Sequence, residues 1–323
     1  MLDLLTVGDI KLDAFIVIPE ASVACDLKMP ECKLCIAYGK KIPVEGVISQ
    51  IAGTAPNVAV GVAKMGRKTA VYAVLGDDAT AVHAAAFLKA NKVGTSYLVK
   101  QPGMRSSSAA VLLYKGEATQ LVDHIDVEYR LPDPLPATQW LHLSELGNGY
   151  ERLYRDVIAA QKRGVLVSIN PGTVQLHDRK SDLLALLRVT EVLFLNMVEA
   201  RKLLRIDNGD GIHAITSGLA ALGPHYVVIT DGAHGAYAYD GRQLDRIGAF
   251  PAAFREATGA GDAFSSAFLG AIMRGKHHRE ALKYAAVNAA SVVEHVGPTK
   301  GLLTFAEITK RLASRPSFAT KEL

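Results

Sequence analysis

Six short apolar runs alternate with segments of helical periodicity along most of this chain. Each run is four or five residues long and is bounded by turn-forming residues. Strands that are apolar throughout and separated by helices are typical of a mainly parallel sheet covered by helices on both faces. We therefore predict an α/β fold in three layers, α/β/α. The predicted strands are Leu4–Val7, Ala70–Val74, Trp140–Leu143, Val165–Ile169, Val192–Leu195 and Tyr226–Ile229.

Two stretches interrupt this alternation. Residues 14–50 hold β-like pieces around a polar middle, and residues 104–122 have the pattern of a hairpin that turns at Lys115-Gly116-Glu117. Neither fits a strand–helix–strand unit. We predict one domain over residues 1–323, in which about 14–50 and 104–122 form a small β-sheet lid over the strand ends. Two ordinary surface hairpins are the alternative.

The composition is that of a globular protein and excludes several kinds of partner. Of the 323 residues, 49% are hydrophobic and 21% are charged, and the net charge of +4 comes without a dense stripe of Lys and Arg. This mild charge suits an anionic small ligand and gives no case for nucleic acid. No apolar run reaches the roughly 18 residues of a membrane span, and the N-terminus lacks a basic signal-peptide start. We expect a cytoplasmic protein that binds neither nucleic acid nor membrane.

A glycine-rich turn, Gly259-Ala260-Gly261, leads into a helical pattern that begins near Asp262. At a helix N-terminus, free N–H groups and the helix dipole favour an anion, and small residues let the backbone approach it closely. A carboxylate there repels a phosphate, so anion binding alone does not explain Asp262. It suits a base that takes a proton from a hydroxyl attacking a phosphoryl group. An ordinary capping aspartate is the alternative.

Four further motifs stand in order along the chain. They are Gly8-Asp9-Ile10-Lys11-Leu12-Asp13, Ala52-Gly53-Thr54-Ala55-Pro56-Asn57, Asn196-Met197-Val198-Glu199 and Thr230-Asp231-Gly232-Ala233-His234-Gly235. Together with the turn before Asp262, they resemble the ribokinase-like sugar kinases, also called the PfkB family, over nearly the whole chain. The resemblance implies a ribokinase-like fold, a homodimer, and ATP-dependent phosphorylation of a primary hydroxyl of a sugar or sugar-like substrate.

The resemblance also implies a role for each matching residue. Asp262 is implied as the catalytic base, with Gly259, Ala260 and Gly261 stabilising charge on the transferring phosphoryl group. The implied substrate-binding residues are Asp13, Gly53, Asn57 and Glu145, to which we add Arg105 from its place at the start of the lid hairpin. The implied ATP-binding residues are Asn196, Glu199, Thr230, Gly232, Gly235, Asn288 and Gly297. For Asn57, capping of the following helix is the alternative.

Two cations enter the predictions in different ways. Mg²⁺ keeps several waters when it binds to proteins, so we expect Glu199, with Asn196, to hold it through water. Glu256 stands where the family has an Asp that helps to hold K⁺, and its longer side chain puts K⁺ activation in question. With Ala257 and Ala52 also departing from the family pattern, two other functions stay open. They are an adenosine-type nucleoside kinase and a catalytically weak sugar- or nucleotide-binding regulator.

All three cysteines fall in the first predicted lid segment. The spacing of Cys25, Cys32 and Cys35 could supply three zinc ligands, with a fourth from elsewhere. An intracellular setting argues against a disulfide. Three reduced thiols without a metal are the alternative.

Overall fold

The computed structural model describes residues 1–25, 32–206 and 209–323 of the chain. Of the helices in these ranges, none combines the length and apolar character required to cross a membrane. The strands are β1 Leu2–Val7, β2 Lys11–Val17, β3 Ser22–Ala24, β4 Lys33–Cys35, β5 Gly46–Ala52, β6 Thr69–Gly76, β7 Gly94–Gln101, β8 Ser108–Tyr114, β9 Glu117–Asp123, β10 Thr138–Leu143, β11 Leu166–Ile169, β12 Val192–Asn196, β13 Tyr226–Thr230, β14 Ala236–Tyr239, β15 Leu244–Ile247 and β16 Lys321–Glu322. The α-helices are α1 Thr54–Lys64, α2 Ala79–Ala90, α3 Glu151–Gln161, α4 Thr173–Asp178, α5 Ser181–Leu187, α6 Met197–Leu204, α7 Ile212–Ala220, α8 Ala260–Ile272, α9 His278–Val292 and α10 Phe305–Ala313.

The central sheet has ten strands in the order β16-β15-β14-β13-β12-β11-β10-β1-β6-β7. From β13 to β7 the neighbouring strands pair in parallel, and β14, β15 and β16 extend the sheet antiparallel. The chain adds β6 and β7 on one side of β1 and then crosses to β10 on the other. The strand order therefore reverses between β1 and β10, and open α/β sheets bind ligands beyond the carboxyl ends of their strands at such a point.

Both faces of the central strands are buried. Leu5 and Val7 of β1 pack in one apolar cluster with residues of α3, α5, α6 and α7, whereas Leu4 packs in another with residues of α1, α8 and α9. Neighbouring side chains of a strand point to opposite faces, so one strand contributes to both clusters. The prediction of a three-layer fold with a mainly parallel sheet is confirmed.

A separate four-stranded sheet in the order β5-β2-β8-β9 forms the predicted lid. Its strands come largely from the two predicted stretches, and three residues separate the end of β1 at Val7 from the start of β2 at Lys11. Residues 26–31 of the first stretch lie outside the described residues. Ala118 and Gln120 of β9 line the main cleft, so the small sheet does cover the strand ends. That residues 1–323 are a single domain stays a prediction.

The cysteines adopt an arrangement that we did not predict. Cys25 and Cys32 form a disulfide beside the β3–β4 hairpin, and Cys35 is a free, exposed thiol. A disulfide sulfur is not a thiolate and does not act as a zinc ligand. The three-cysteine zinc site is therefore wrong for this structure, and so is the expectation of reduced thiols. No group of three or more His, Cys, Asp and Glu side chains in the described ranges is placed to hold a metal ion.

Candidate active site

A cleft of about 380 Å³ lies between the lid and the carboxyl ends of the parallel strands. Lys11 and Asp13 of β2 line it together with Glu145, which follows β10, and Asn170, which follows β11. The first turn of α8 adds Asp262. Gly53, Asn57, Asn196, Glu199, Thr230, Gly259 and Gly261 line the same cleft. Most of the predicted substrate and catalytic residues are thus brought together.

Asp262 is held by Asn57 at the N-terminal end of α8. Asn57 Nδ2 donates a hydrogen bond to Asp262 Oδ2 over 2.7 Å. Gly53 is the N-cap residue of α1 and Gly259 is that of α8, so neither Asn57 nor Asp262 is a capping residue. Burial raises the pKa of the Asp262 carboxyl, and hydrogen bonds from Asn57 and Thr54 oppose that rise. A fixed carboxylate with a raised pKa suits a general base.

The turn before α8 depends on the backbone conformation of Gly259. Its φ is +79°, and a Cβ there would lie 2.4 Å from the Cβ of Pro298, so the site excludes any side chain. Ala260 N donates to Ala257 O over 3.1 Å, so this N–H closes the turn and is not available to a ligand. A Cβ on Gly261 would meet no atom within 4 Å. The open approach to the helix N-terminus is therefore at Gly261 and Asp262.

Lys11 and Glu145 form an ion pair in the cleft. Lys11 Nζ lies 2.6 Å from Glu145 Oε2, and Lys11 is only 3% exposed. Asp13 is equally buried, and its burial, with repulsion from Glu145 and Asp262, raises its pKa to about 6 against the opposing effect of Lys11. Asp13 Oδ1 and Asn57 Oδ1 are buried and have no hydrogen-bond partner among the described residues. These two oxygens can accept hydrogen bonds from a ligand or from water.

A hydrogen-bond network supports Glu145 from outside the cleft. Asp9 accepts hydrogen bonds from Ser107 Oγ over 3.2 Å and from the hydroxyl of Tyr129 over 2.7 Å. His124 Nδ1 lies 2.6 Å from the same carboxylate, and His124 Nε2 lies 3.8 Å from Glu145 Oε1. Asp9 is 2% exposed and does not line the cleft. It joins the lid segments to the body and does not bind substrate.

Asn196 and Glu199 form a reciprocal cap at the start of α6. Glu199 N donates to Asn196 Oδ1 over 2.8 Å, and Asn196 N donates to Glu199 Oε2 over 2.9 Å. Burial raises the pKa of Glu199, and repulsion from Glu145 and Asp262 adds to the rise. The capping box fixes both side chains at the cleft, and Glu199 keeps one oxygen outside the cap. A cation among these carboxylates would relieve their repulsion.

A second cavity of about 470 Å³ adjoins the cleft, and the two share Thr230, Ala257 and Gly261. Its walls are mostly apolar, as a purine base requires. On one side are Gly232, Ala233 and Gly235, and on another is a small-residue face of α9. The lining also includes Phe250, Pro251, Phe254, Ala286, Ala289, Ala290 and Val293. The predicted nucleotide loop Thr230–Gly235 thus forms part of a cavity next to Asp262.

Two predicted nucleotide residues have structural roles instead. Asn288 is fully buried; its Nδ2 donates to Ala263 O over 2.8 Å and its Oδ1 accepts from Leu303 N over 2.9 Å. Gly297 lines neither cavity, and a Cβ there would lie 2.7 Å from Gln50 of the lid. Neither residue lines the second cavity, and the residues of α9 that do line it lie on either side of Asn288. That these two residues contact the nucleotide stays a prediction, which the cavity lining does not support.

Glu256 links two loops through its carboxylate. Oε1 accepts from Thr258 N over 3.0 Å, and Oε2 accepts from Gly297 N over 2.9 Å. The side chain is 3% exposed. Both oxygens of this carboxylate accept hydrogen bonds from backbone N–H groups. The carboxylate therefore connects the two loops directly, and this arrangement favours a structural role for Glu256 over binding of K⁺.

Arg105 lies apart from the other predicted substrate residues. It is exposed in the loop before β8 and lines neither cavity. The structure therefore gives no support to its predicted role in substrate binding. The sequence analysis also missed several polar residues of the cleft, among them Lys11, Asn170 and Gln120. Strand alternation places Lys11 on the face of Asp13, and Asn170 directly follows a predicted strand, so both carried a usable signal.

Comparisons with known proteins agree on the family. The profile described as pfkB family carbohydrate kinase matches residues 17–304. A 5-dehydro-2-deoxygluconokinase of Shouchella clausii is 24% identical over 277 residues, covering 80% of this chain and 85% of that protein. A nucleoside kinase of Methanothermobacter thermautotrophicus is 24% identical over 332 residues, covering 97% and 96%. The structure of Arabidopsis thaliana ribokinase complexed with ribose and ATP is similar with a TM-score of 0.79, 22% sequence identity, and coverage of 96% and 98%.

Proposed function

Because this chain belongs to the pfkB family of carbohydrate kinases, we propose that it transfers the γ-phosphoryl group of ATP to a primary hydroxyl of a sugar, as a ribokinase-type kinase does. One observation carries the proposal. Asp262, fixed by its 2.7 Å hydrogen bond from Asn57, lies where the polar cleft meets the apolar cavity. An acceptor in the first and a nucleotide in the second would meet at this carboxylate.

The proposed chemistry is a proton transfer coupled to phosphoryl transfer. Asp262 takes the proton of the acceptor hydroxyl, and the hydroxyl oxygen forms a bond to the γ-phosphorus. The bond from that phosphorus to the β–γ bridging oxygen breaks, and ADP leaves with the electron pair. The N–H groups of Gly261 and Asp262, at the open end of α8, stabilise the charge on the transferring oxygens.

Asp13, Asn57 and Lys11 orient the acceptor. The unpartnered Asp13 Oδ1 and Asn57 Oδ1 accept from sugar hydroxyls, which satisfies two otherwise orphaned buried oxygens. Gln120 and Ala118 of the lid form part of the cover. Exclusion of water by that cover limits transfer of the phosphoryl group to water.

A divalent cation fits beside Asn196 and Glu199. Three carboxylates repel one another here, Glu145, Glu199 and Asp262, which favours a cation, and the capping box leaves Glu199 able to bind through water. When bound, Mg²⁺ supplies charge neutralisation for the ATP phosphates. The proposed role of the two residues is to hold its water shell in place.

The direct test measures ADP release with Mg-ATP across neutral pentoses and hexoses, sugar acids, sugar phosphates and nucleosides. Mass spectrometry of the product identifies the phosphorylated acceptor. Turnover with a sugar supports the proposal. Turnover with nucleosides alone would favour the alternative of a nucleoside kinase, which is the name of the similar Methanothermobacter protein. ATP binding without turnover on any acceptor would favour the binding-protein alternative.

A second copy of the chain is the proposed partner. The outer face of the lid exposes apolar side chains, with Val47 of β5 57% exposed and Leu121 of β9 60% exposed. Strand pairing places both on one face with Ile16 and Leu112. A contiguous apolar face of this kind favours an interface. We propose a homodimer through the lid.

A further inference from the structure

The charge lining the acceptor cleft is strongly one-sided. Among the described residues that line it, five carboxylates face one ammonium group, that of Lys11. The carboxylates are those of Asp13, Glu117, Glu145, Glu199 and Asp262. An acceptor that carries a carboxylate or phosphate would enter against this negative charge and be repelled by it.

The positive charge of Lys11 is not available to an anionic ligand, because Lys11 already forms an ion pair with Glu145. The distance from Lys11 Nζ to Glu145 Oε2 is 2.6 Å, and both residues line the cleft. Burial lowers the pKa of Lys11, but Glu145 and the neighbouring aspartates raise it further, so the lysine stays an ammonium ion. One of its three N–H donors is committed to Glu145, and the pair as a whole is neutral.

The hydrogen-bonding groups of the cleft independently indicate a ligand with hydroxyl groups. Asp13 and Asn57 are 3% and 4% exposed, and each has an oxygen without a donor among the described residues. A hydroxyl donates to such an oxygen, whereas an ionised acid does not. Phe194, itself 3% exposed, is the one aromatic residue in the lining, so the described cleft offers no stacking surface for a nucleobase.

We infer that Glu145 sets the charge selectivity of the acceptor site. By pairing with Lys11, it prevents the lysine from receiving an anion, so that the site takes neutral polyols and rejects sugar acids and sugar phosphates. This inference rests on the proposed function, whose acceptor it specifies. Glu145 is then a specificity-determining residue, separate from the proton transfer at Asp262.

The test compares two neutral sugars with their aldonic acids: D-ribose with D-ribonate, and D-glucose with D-gluconate. Wild-type kcat/KM for ADP release should favour the neutral member of a productive pair by at least about 100-fold. Glu145→Gln removes one negative charge and releases Lys11, and the acid-to-neutral ratio of kcat/KM should rise at least about tenfold. Adding Lys11→Met to Glu145→Gln should reverse that rise.

Glu117→Gln is the matched control, because it removes an equal charge from the same cleft without touching Lys11. It should move the ratio by no more than about threefold. Thermal unfolding verifies that each variant is folded. An unchanged ratio in Glu145→Gln, or equal changes in Glu145→Gln and Glu117→Gln, would overturn the inference.

Binding separates this inference from the proposed function. Calorimetric Kd values for the same four compounds, measured with Asp262→Asn and a non-hydrolysable ATP analogue, report charge selectivity even where turnover is absent. Neutral selectivity in binding without any turnover in the wild type would retain the inference and contradict the kinase proposal. Tighter binding of an acid than of its neutral counterpart, or binding of none of the neutral compounds, would contradict the inference.

Discussion

The proposed role of Asp262 as the proton acceptor rests on its immediate neighbours. Asn57 fixes one carboxylate oxygen, and burial raises the pKa of the group. Asp262→Asn preserves the shape but cannot accept the proton, so kcat should fall by about 10²- to 10⁴-fold. Calorimetry with a non-hydrolysable ATP analogue should show a nucleotide Kd close to that of the wild type. Retention of wild-type kcat would exclude Asp262 as the base.

We predict that Asp13 lowers the stability of the folded protein although it contributes to binding of the acceptor. Its pKa is raised from 3.8 to about 6, so the folded protein binds this proton more tightly than the unfolded chain does. The ionised group therefore destabilises the fold above about pH 6, and this cost disappears as the pH falls through 6 towards 3.8. Asp13→Asn should raise the free energy of unfolding at pH 7 by roughly 2 kcal/mol and lower acceptor kcat/KM.

Urea unfolding at pH 7 and at pH 4.5 checks the sign of this effect. The difference in stability between Asp13→Asn and the wild type should shrink at the lower pH, where the wild-type aspartate is protonated. A variant that is less stable than the wild type at pH 7 would show that the Lys11 interaction outweighs the desolvation of Asp13.

The sequence identified most polar residues of the site, because they stand at strand ends or in glycine-rich turns. Asp13, Asn57 and Asp262 meet in the cleft as expected. The contacts of Asn288 and Gly297 could not be predicted, since their neighbours Ala263, Leu303 and Gln50 are distant in sequence and no local pattern indicates those contacts. A buried side chain with satisfied hydrogen bonds and one aimed at a ligand look alike in sequence.

The turn from Glu256 to Gly259 is stabilised by hydrogen bonds within the protein. Glu256 accepts from Thr258 N and Gly297 N, which ties the turn to the loop before α10. We expect that replacing K⁺ by Na⁺ changes kcat by less than about twofold. Steady-state assays in the two chlorides at matched ionic strength provide the measurement, and a tenfold preference for K⁺ would assign the cation a role at this turn.

Elements with strong periodicity were predicted within a few residues. Strands β10, β12 and β13 contain the predicted apolar runs Trp140–Leu143, Val192–Leu195 and Tyr226–Ile229. Strands β7, β14 and β15 were missed. Polar residues interrupt β7 and β15, so neither contains an apolar run of four residues, and β14 consists of only two Ala and two Tyr residues. The disulfide was missed because the inferred compartment, and not the spacing, decided against it.

At the scale of the whole molecule, the exposed lid face predicts self-association. Leu121→Lys places a charge among apolar side chains of the proposed interface, so it should shift a dimer towards monomer. Val82→Lys, at a valine of α2 that is 59% exposed, is the matched control and should leave the mass unchanged. Light scattering after size exclusion measures both, and a wild-type monomer at all concentrations would contradict the proposal.

The Lys11–Glu145 pair also joins the lid to the body, since Lys11 begins a lid strand and Glu145 follows a strand of the body. Asp13 lies on that same lid strand, so in the proposed function the lid binds the acceptor, whereas Asp262 belongs to the body. An acceptor that bridges these groups draws the lid shut, and a water molecule is too small to do so. The kinase should therefore waste little ATP in the absence of sugar, and Lys11→Met, which unlatches the lid, should make futile hydrolysis several-fold faster relative to productive transfer.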